Sequence, residues 1–188
     1  MATMYPPILP EQGHYESERI VLRAFEGLSD DFTIFYSFHW LLPMRKEKAL
    51  REGEIDFVLL HPEFGLLVLE VKGGHEIRVE NEQYFRRYPG AKEWDLIPTN
   101  PEIQARTNMH ALMDFLKNVA GVRKNLISYG YAVVFPQTTR VKSVRAALPD
   151  IAIIDHHDLS ASNLEERLLG IGEAFRNSDS PRITPSAV

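Results

Sequence analysis

Apolar positions recur along the chain with two different periodicities, which separate candidate helices from candidate strands. In residues 16–26 (ESERIVLRAFE), Val21, Leu22 and Phe25 share one stripe at helical spacing, and Glu18 falls on the same stripe three residues before Val21. In residues 31–42 (DFTIFYSFHWLL) every second position is apolar, which predicts a strand rich in aromatic side chains. The alternating residues are Phe32, Ile34, Tyr36, Phe38 and Trp40.

Two apolar runs, residues 55–60 and 66–71, are separated by the short segment HPEFG. Pro62 and Gly65 are typical turn residues, so the two runs are predicted to pair as a β-hairpin. The charged segment 43–53 before them is expected to form a loop or a short helical turn. After the hairpin, residues 75–88 (HEIRVENEQYFRRY) predict two further short strands that turn near Asn81.

The second half of the chain alternates helical and strand patterns. Asn100 and Pro101 are a typical N-cap and first helical residue, and an apolar stripe then continues until Gly121. Residues 128–136 (SYGYAVVFP) and 150–155 (DIAIID) predict strands, and residues 163–176 predict a final helix. This order favours an α/β fold with a mixed central β-sheet flanked by α-helices. We expect an N-terminal arm at residues 1–15, one domain at 16–177 and a flexible tail at 178–188.

Composition narrows the class of protein only moderately. The 188 residues are 44% hydrophobic and 25% charged, which is typical of one globular domain. No apolar run approaches the ~20 residues of a membrane helix, and the N-terminus lacks the pattern of a secretory signal, so a cytoplasmic protein is expected. The absence of cysteine excludes disulfides, thiolate metal sites and cysteine nucleophiles. The net charge of −5 argues against a protein that coats nucleic acid by bulk charge, but it permits a local basic patch.

The predicted hairpin carries charges that do not suit a core strand. Side chains alternate across a strand, so Glu70 and Lys72 project to one face while Val71 faces the other. Pairing through the HPEFG turn brings Asp56 towards Glu70 and Lys72 at the open end of the hairpin. Two carboxylates can hold Mg²⁺ or Mn²⁺, with the Val71 carbonyl as a further ligand. Lys72 could orient or deprotonate a water that attacks a phosphodiester.

The segments EIDF and LEVK together resemble the motif of the PD-(D/E)xK nuclease superfamily, with Asp56, Glu70 and Lys72 in its three key positions. More narrowly, GEIDFVLLHPEFGLLVLEVKGG, NPEIQ and GYAVVFP resemble the nuclease-related domain, NERD, over roughly residues 16–136. Within that family, these segments resemble the version joined to the front of superfamily 1 DNA helicases. The usual Pro before the Asp is replaced here by Ile55, and no phosphate loop of a helicase motor occurs in the sequence.

The resemblance implies a restriction-endonuclease-like core and a metal-dependent nuclease that hydrolyses DNA in repair or processing, with a superfamily 1 helicase in cis or in trans. It also implies two further site residues. The Glu that the family carries on its first helix corresponds to Glu18, and the Gln near the start of its long helix corresponds to Gln104.

Structural interpretations of the same residues stay open at this point. Asp56 could face solvent on an edge strand, and Glu70 with Lys72 could be a surface ion pair. Glu18 could pair with a neighbouring arginine, and Gln104 could satisfy nearby backbone. Phe85, Tyr84 and Trp94 are expected in core packing rather than in base stacking, and residues 156–158 (HHD) in a solvated loop.

Basic residues flank the hairpin and are candidates for phosphate contact rather than base reading. The nucleic-acid-binding candidates are Arg45 and Lys46 before the hairpin and Arg86 and Arg87 after it. Ordinary solvated surface is the alternative for each group. Two other function classes also remain: a nuclease fold kept as a docking platform for DNA or a protein partner, and a purely structural interaction domain.

Overall fold

The computed structural model describes residues 1–6, 16–43, 50–119, 121, 127–139 and 152–176. These residues form a mixed α/β fold in which a six-stranded sheet carries helices on both faces, beside a separate three-stranded sheet. The helices are α1 (Glu16–Phe25), α2 (Pro101–Val119) and α3 (Ala161–Ala174). The strands are β1 (Thr3–Tyr5), β2 (Thr33–Pro43), β3 (Leu50–His61), β4 (Gly65–Val71), β5 (Glu76–Glu80), β6 (Gln83–Arg87), β7 (Asp95–Ile97), β8 (Tyr129–Phe135) and β9 (Ile153–Asp155).

The large sheet has the strand order β1-β2-β3-β4-β8-β9. Strands β2, β3 and β4 form an antiparallel meander, whereas β8 joins β4 in parallel after the crossover through α2. Every residue of β4 is buried, because α2 covers one face of the sheet and α1 and α3 cover the other. The continuous apolar run LLVL therefore suits a central strand that is covered on both faces. The predicted mixed sheet flanked by helices is confirmed.

Helices α1 and α2 form where the sequence predicts them. In α1 the predicted stripe of Val21, Leu22 and Phe25 is buried, and the Phe25 ring meets the Phe57 ring of β3 edge to face. In α2 the Asn100 Oδ1 atom accepts the backbone N–H groups of Glu102 and Ile103, at 2.9 and 3.3 Å. This side chain satisfies two amides that would otherwise lack a partner in the first turn of the helix.

The three-stranded sheet β5-β6-β7 is formed by the segment of the chain between β4 and α2. One of its faces packs on the main domain: the Tyr84 ring stacks on Phe135, and the Tyr84 hydroxyl donates to Glu102 of α2. The sequence predicts the first two of these strands and the turn at Asn81, but the third strand, Asp95–Ile97, was not predicted. Its single buried residue, Ile97, gives too short a pattern for period-two alternation to be recognised.

The expectation of a loop or helical turn across residues 43–53 is wrong where the structure describes that segment. Pro43 ends β2, and Leu50 through Gly53 belong to β3. Both strands extend past the apolar stretch because each satisfies the backbone groups of the other, and such pairing does not require apolar side chains. Residues 44–49 lie outside the described residues, as do residues 7–15 and 177–188 of the predicted arm and tail.

Among the residues that the structure describes, no helix is both long and apolar enough to cross a membrane.

The turn between β3 and β4 fixes the register of the hairpin. Gly65 pairs with His61 and adopts a φ of +89°, and a side chain at this position would overlap the Ser128 carbonyl oxygen. Glycine is needed at Gly65 for two separate reasons, the left-handed backbone and the close approach of a neighbouring segment.

Replacing Gly65 by Ala is therefore expected to lower the free energy of unfolding by about 3 kcal/mol or more, since backbone strain and steric overlap add. Gly90→Ala is the matched control, because Gly90 has a similar φ of +80° but open space around it. The control is expected to cost about 1–2 kcal/mol from the backbone alone. Urea denaturation measures both, and equal losses would contradict a steric role for Gly65.

Candidate functional site

The candidate site lies where strands β3 and β4 separate. Their ladder runs from His61↔Gly65 to Phe57↔Leu69, and continuing the same register sets Asp56 opposite Glu70. The Asp56 Oδ2 atom accepts the backbone N–H of Val71 at 2.6 Å, so a side chain replaces the backbone acceptor at this point. Beyond it β4 stays attached to β8 alone, through the Lys72 N–H bond to the Val134 carbonyl at 2.9 Å.

The pairing of β3 with β2 is also interrupted at Asp56. The register passes from Tyr36↔Phe57 to Phe38↔Ile55, and Ser37, which stands between them, has a φ of +50°. A positive φ at a non-glycine residue is uncommon and often marks a turn or a functional site. Asp56 therefore has no regular ladder partner on either edge of β3, although the ladder with β2 resumes at Ile55.

Glu70 is a buried carboxyl with an ammonium group beside it. The Glu70 side chain is 1% exposed, and its Oε1 atom lies 2.5 Å from Lys72 Nζ, whose side chain is 19% exposed. The buried Asn108 amide of α2 lies 3.5 Å from Glu70 Oε2 and donates at 3.0 Å to the Glu54 carbonyl oxygen. The Glu70–Lys72 pair is thus not the surface ion pair of the structural alternative.

Burial and mutual repulsion control the charges of the two carboxyls. Burial, followed by the nearby Glu70 charge, raises the pKa of Asp56 to about 7, against the pKa-lowering effects of the Val71 N–H and of Lys72. Burial also raises the pKa of Glu70, opposed mainly by Lys72. The Glu18 carboxyl raises the pKa of both groups, which shows that α1 brings this residue close to them. Asp56 and Glu70 therefore lie together, with Lys72 as the cation that lowers both pKa values and Glu18 as a further negative charge that raises them.

The structure places the other predicted site residues as follows. Glu18 is partly buried in the first turn of α1, and its charge raises the pKa of both carboxyls. Val71 is buried, with its N–H bound to Asp56. Gln104 lies one helical turn before Asn108 on the same face of α2, and it is Asn108 that reaches Glu70. The role of Gln104 remains a prediction.

Asn108 is a site residue that the sequence-based interpretation missed. A signal for it was present, because this polar residue interrupts the apolar stripe of α2 between Ala105 and Met109. A buried amide on such a stripe needs hydrogen-bond partners, and the carboxylate and the carbonyl group of the sheet supply them here.

The candidate basic residues are only partly placed. Arg45 and Lys46 lie outside the described residues. Arg86 and Arg87 are neighbours on β6 and therefore project to opposite faces of the small sheet. Arg87 binds Glu76 at 2.5 Å and lies over the Trp94 ring, whereas Arg86 lies over Tyr88 near the end of β4.

The segment at residues 156–158 forms a turn between β9 and α3, as the sequence predicts. Asp155 and Asp158 accept backbone N–H groups within this turn, and both histidines are exposed. No group of three or more His, Asp or Glu side chains with metal-binding geometry occurs among the described residues.

A divalent cation fits the donor chemistry at the end of β4. Asp56 and Glu70 supply carboxylate oxygens, which are the ligands that Mg²⁺ and Mn²⁺ prefer. Burial raises the pKa of both groups, and the charge of a neighbouring carboxyl raises each further. A bound cation would relieve this repulsion and favour the ionised form of both groups.

Residues 13–136 match the family model of the nuclease-related domain, NERD. The match covers about two thirds of the chain, so the chain belongs to the NERD family. No curated protein and no solved structure matches the chain. The family resemblance drawn from the hairpin motif is thereby confirmed, and it supports a nuclease-related function.

The raised pKa of Asp56 predicts how stability depends on pH in the absence of divalent ions. Between pH 4 and 7 the folded protein holds a proton on Asp56 that the unfolded chain releases, so its contribution is full below pH 4 and is lost as pH rises through 7. Relative to Asp56→Asn, the free energy of unfolding of the wild type should fall by up to about 1.4 kcal/mol per pH unit over this window.

Denaturant unfolding with EDTA at several pH values measures this difference. Asp95→Asn, which removes an exposed carboxyl of β7, is the matched control and should run parallel to the wild type. A difference between wild type and Asp56→Asn that is constant with pH would refute the raised pKa.

Proposed function

We propose that this NERD-family domain is a metal-dependent nuclease that hydrolyses phosphodiester bonds of DNA. The observation that supports it most strongly is the pair of Asp56 and Glu70, set face to face with Lys72 at the point where β3 and β4 separate. A purely structural domain gains nothing from two carboxyls whose charged forms are disfavoured by burial and repulsion.

Each side chain has a role that follows from its position. Asp56 and Glu70 would hold Mg²⁺ or Mn²⁺, with the Val71 carbonyl as a neutral ligand. Such an ion would lower the pKa of a water molecule and offset the negative charge that builds on the phosphate. Lys72 has three N–H donors and uses one on Glu70, so its remaining donors can orient the attacking water and bind a phosphate oxygen.

Three residues support this arrangement from the helices. Asn108 ties the Glu70 carboxylate to the backbone of β3 and so fixes its orientation. Glu18 adds negative charge beside the carboxyls and would serve as an additional or supporting ligand for the ion. Gln104, one turn from Asn108, would orient the site or nearby backbone.

The setting of the reaction is a further part of the proposal. The resemblance to domains that precede superfamily 1 helicases supports work in DNA repair or processing, with such a helicase in the same chain or as a separate partner. We place the protein in the cytoplasm.

We expect the wild-type protein to cleave a labelled DNA when Mn²⁺ or Mg²⁺ is present, and gel electrophoresis measures the rate. Asp56→Ala and Lys72→Ala should each lower the rate at least about 100-fold, because each removes a group that acts on the reacting phosphate or water. Asp95→Ala and Lys92→Ala, which remove an exposed carboxylate and an exposed ammonium, are the charge-matched controls and should cleave like the wild type. Equal trace activity in all five proteins would contradict the proposal.

Metal binding separates a nuclease from a domain that only docks DNA or a protein. Calorimetry with Mn²⁺ should show binding to the wild type and at least about tenfold weaker binding to Glu70→Gln, which keeps the size of the side chain but removes its charge. DNA binding without any heat of metal binding would favour the docking module instead.

A further inference from the structure

We propose that the turn after β4 binds a second phosphate of the nucleic-acid backbone, next to the phosphate that is cleaved. The subsite consists of Gly73 and Gly74 with Ser17, Arg86, Tyr88 and Gln137 around them. It rests on the proposed nuclease function, and it adds a substrate requirement, since a phosphodiester without a neighbouring phosphate would leave the subsite empty.

Three side-chain oxygens converge on Gly73, which directly follows Lys72. A Cβ built at Gly73 would lie 3.4 Å from Ser17 Oγ, 3.4 Å from the Tyr88 hydroxyl and 3.5 Å from Gln137 Oε1. These groups come from α1, from the residue after β6 and from the turn after β8, so only the tertiary fold assembles them. Because Gly73 has no side chain, the space between these polar groups stays open.

The polar groups around Gly73 are mainly donors. Gln137 Oε1 already accepts the Gly74 N–H at 3.2 Å, so the amide nitrogen of the same side chain remains for a ligand. The Ser17 and Tyr88 hydroxyls can donate as well. A ring of donors favours an acceptor, and a phosphate oxygen has the lone pairs to meet several of them at once.

Arg86 supplies the positive charge of the subsite. Its Cβ atom lies 2.9 Å from where a Cβ on Gly74 would stand, and its guanidinium lies 5.5 Å from the centre of the Tyr88 ring. The Arg86 Nε atom is buried and has no hydrogen-bond partner among the described residues. A buried donor without an acceptor is costly, and a bound phosphate would satisfy it.

The neighbouring arginines of the small sheet are engaged elsewhere. The Arg78 Nε atom, like that of Arg86, is buried without a hydrogen bond among the described residues, but Arg78 forms an ion pair with Glu80 at 3.2 Å and lies over the Phe85 and Trp94 rings. Paired residues share a face of the sheet, so Arg78 shares the face of Phe85, whereas Arg86 shares the face of Ile77. Phe85 and Arg86 are neighbours on β6 and face opposite sides, so Arg78 points away from Gly74. Arg78 therefore offers a matched arginine on the same small sheet.

The salt dependence of DNA binding tests the subsite without requiring cleavage. Anisotropy of a fluorescein-labelled oligonucleotide is measured in Ca²⁺ between about 50 and 200 mM KCl. Arg86→Ala should weaken binding about tenfold at the lowest salt and reduce the slope of log Kd against log salt by about 0.7 for single strands or about 0.9 for duplex, the value of one phosphate contact. Arg78→Ala should keep the wild-type slope.

Two further variants guard against a simple loss of folding. Arg86→Lys keeps the charge and should retain most of the slope. Gly73→Ala fills the polar space at ordinary contact distances and should weaken binding about fivefold with an unchanged slope, since no charge is lost. Circular dichroism should show all variants folded.

The outcomes separate this inference from the proposed nuclease function. An unchanged slope in Arg86→Ala, an equal loss in Arg78→Ala, or no salt-dependent binding by the wild type would overturn the subsite. If the wild type cleaves DNA and Arg86→Ala keeps the wild-type slope of log Kd against log salt, the subsite is refuted and the nuclease function stands. If Arg86→Ala weakens DNA binding as expected but the wild type cleaves no DNA with Mn²⁺, the nuclease function is refuted and the phosphate site stands.

Discussion

The hydrogen bond from the Val71 N–H to the Asp56 carboxylate is the interaction on which the site depends. In an ordinary hairpin a backbone carbonyl would accept there, and β3 and β4 would continue side by side. Because a side chain accepts instead, the strands can separate while the buried amide keeps a partner. Strand β4 then follows β8 alone, and Glu70 and Lys72 lie at the opening with Asp56 facing them.

The opening concentrates charge in a part of the protein that would otherwise be core. Glu70 stays nearly fully buried because Lys72 and Asn108 occupy its two oxygens, and the apolar middle of β4 holds the backbone in place. The remaining repulsion appears as raised pKa values at Asp56 and Glu70. Such a cluster lowers stability but holds carboxyl oxygens and an ammonium group close to one another.

Local chemistry made much of the fold predictable. The HPEFG turn and the two apolar runs give the hairpin, and the Asn100 cap with the following stripe gives α2, since both signals lie within a few neighbouring residues. The same reasoning placed Asp56, Glu70 and Lys72 together, because side-chain alternation and register follow from the turn. Asn108 and the small third strand were missed. Asn108 matters only through its contact with a distant strand, and Ile97 provides one buried residue with no pattern around it.

By itself the sequence determined the main helices and strands, the family and the three charged residues of the hairpin, because periodicity, capping and turn chemistry act over short distances. The tertiary structure decided which neighbours these residues meet. It brought Glu18 of α1 and Asn108 of α2 to the carboxyls, and it set Arg86 against Gly74 and the Tyr88 ring. Contacts of this kind depend on how helices pack across the sheet and on how strands pair, and no stretch of neighbouring residues encodes them.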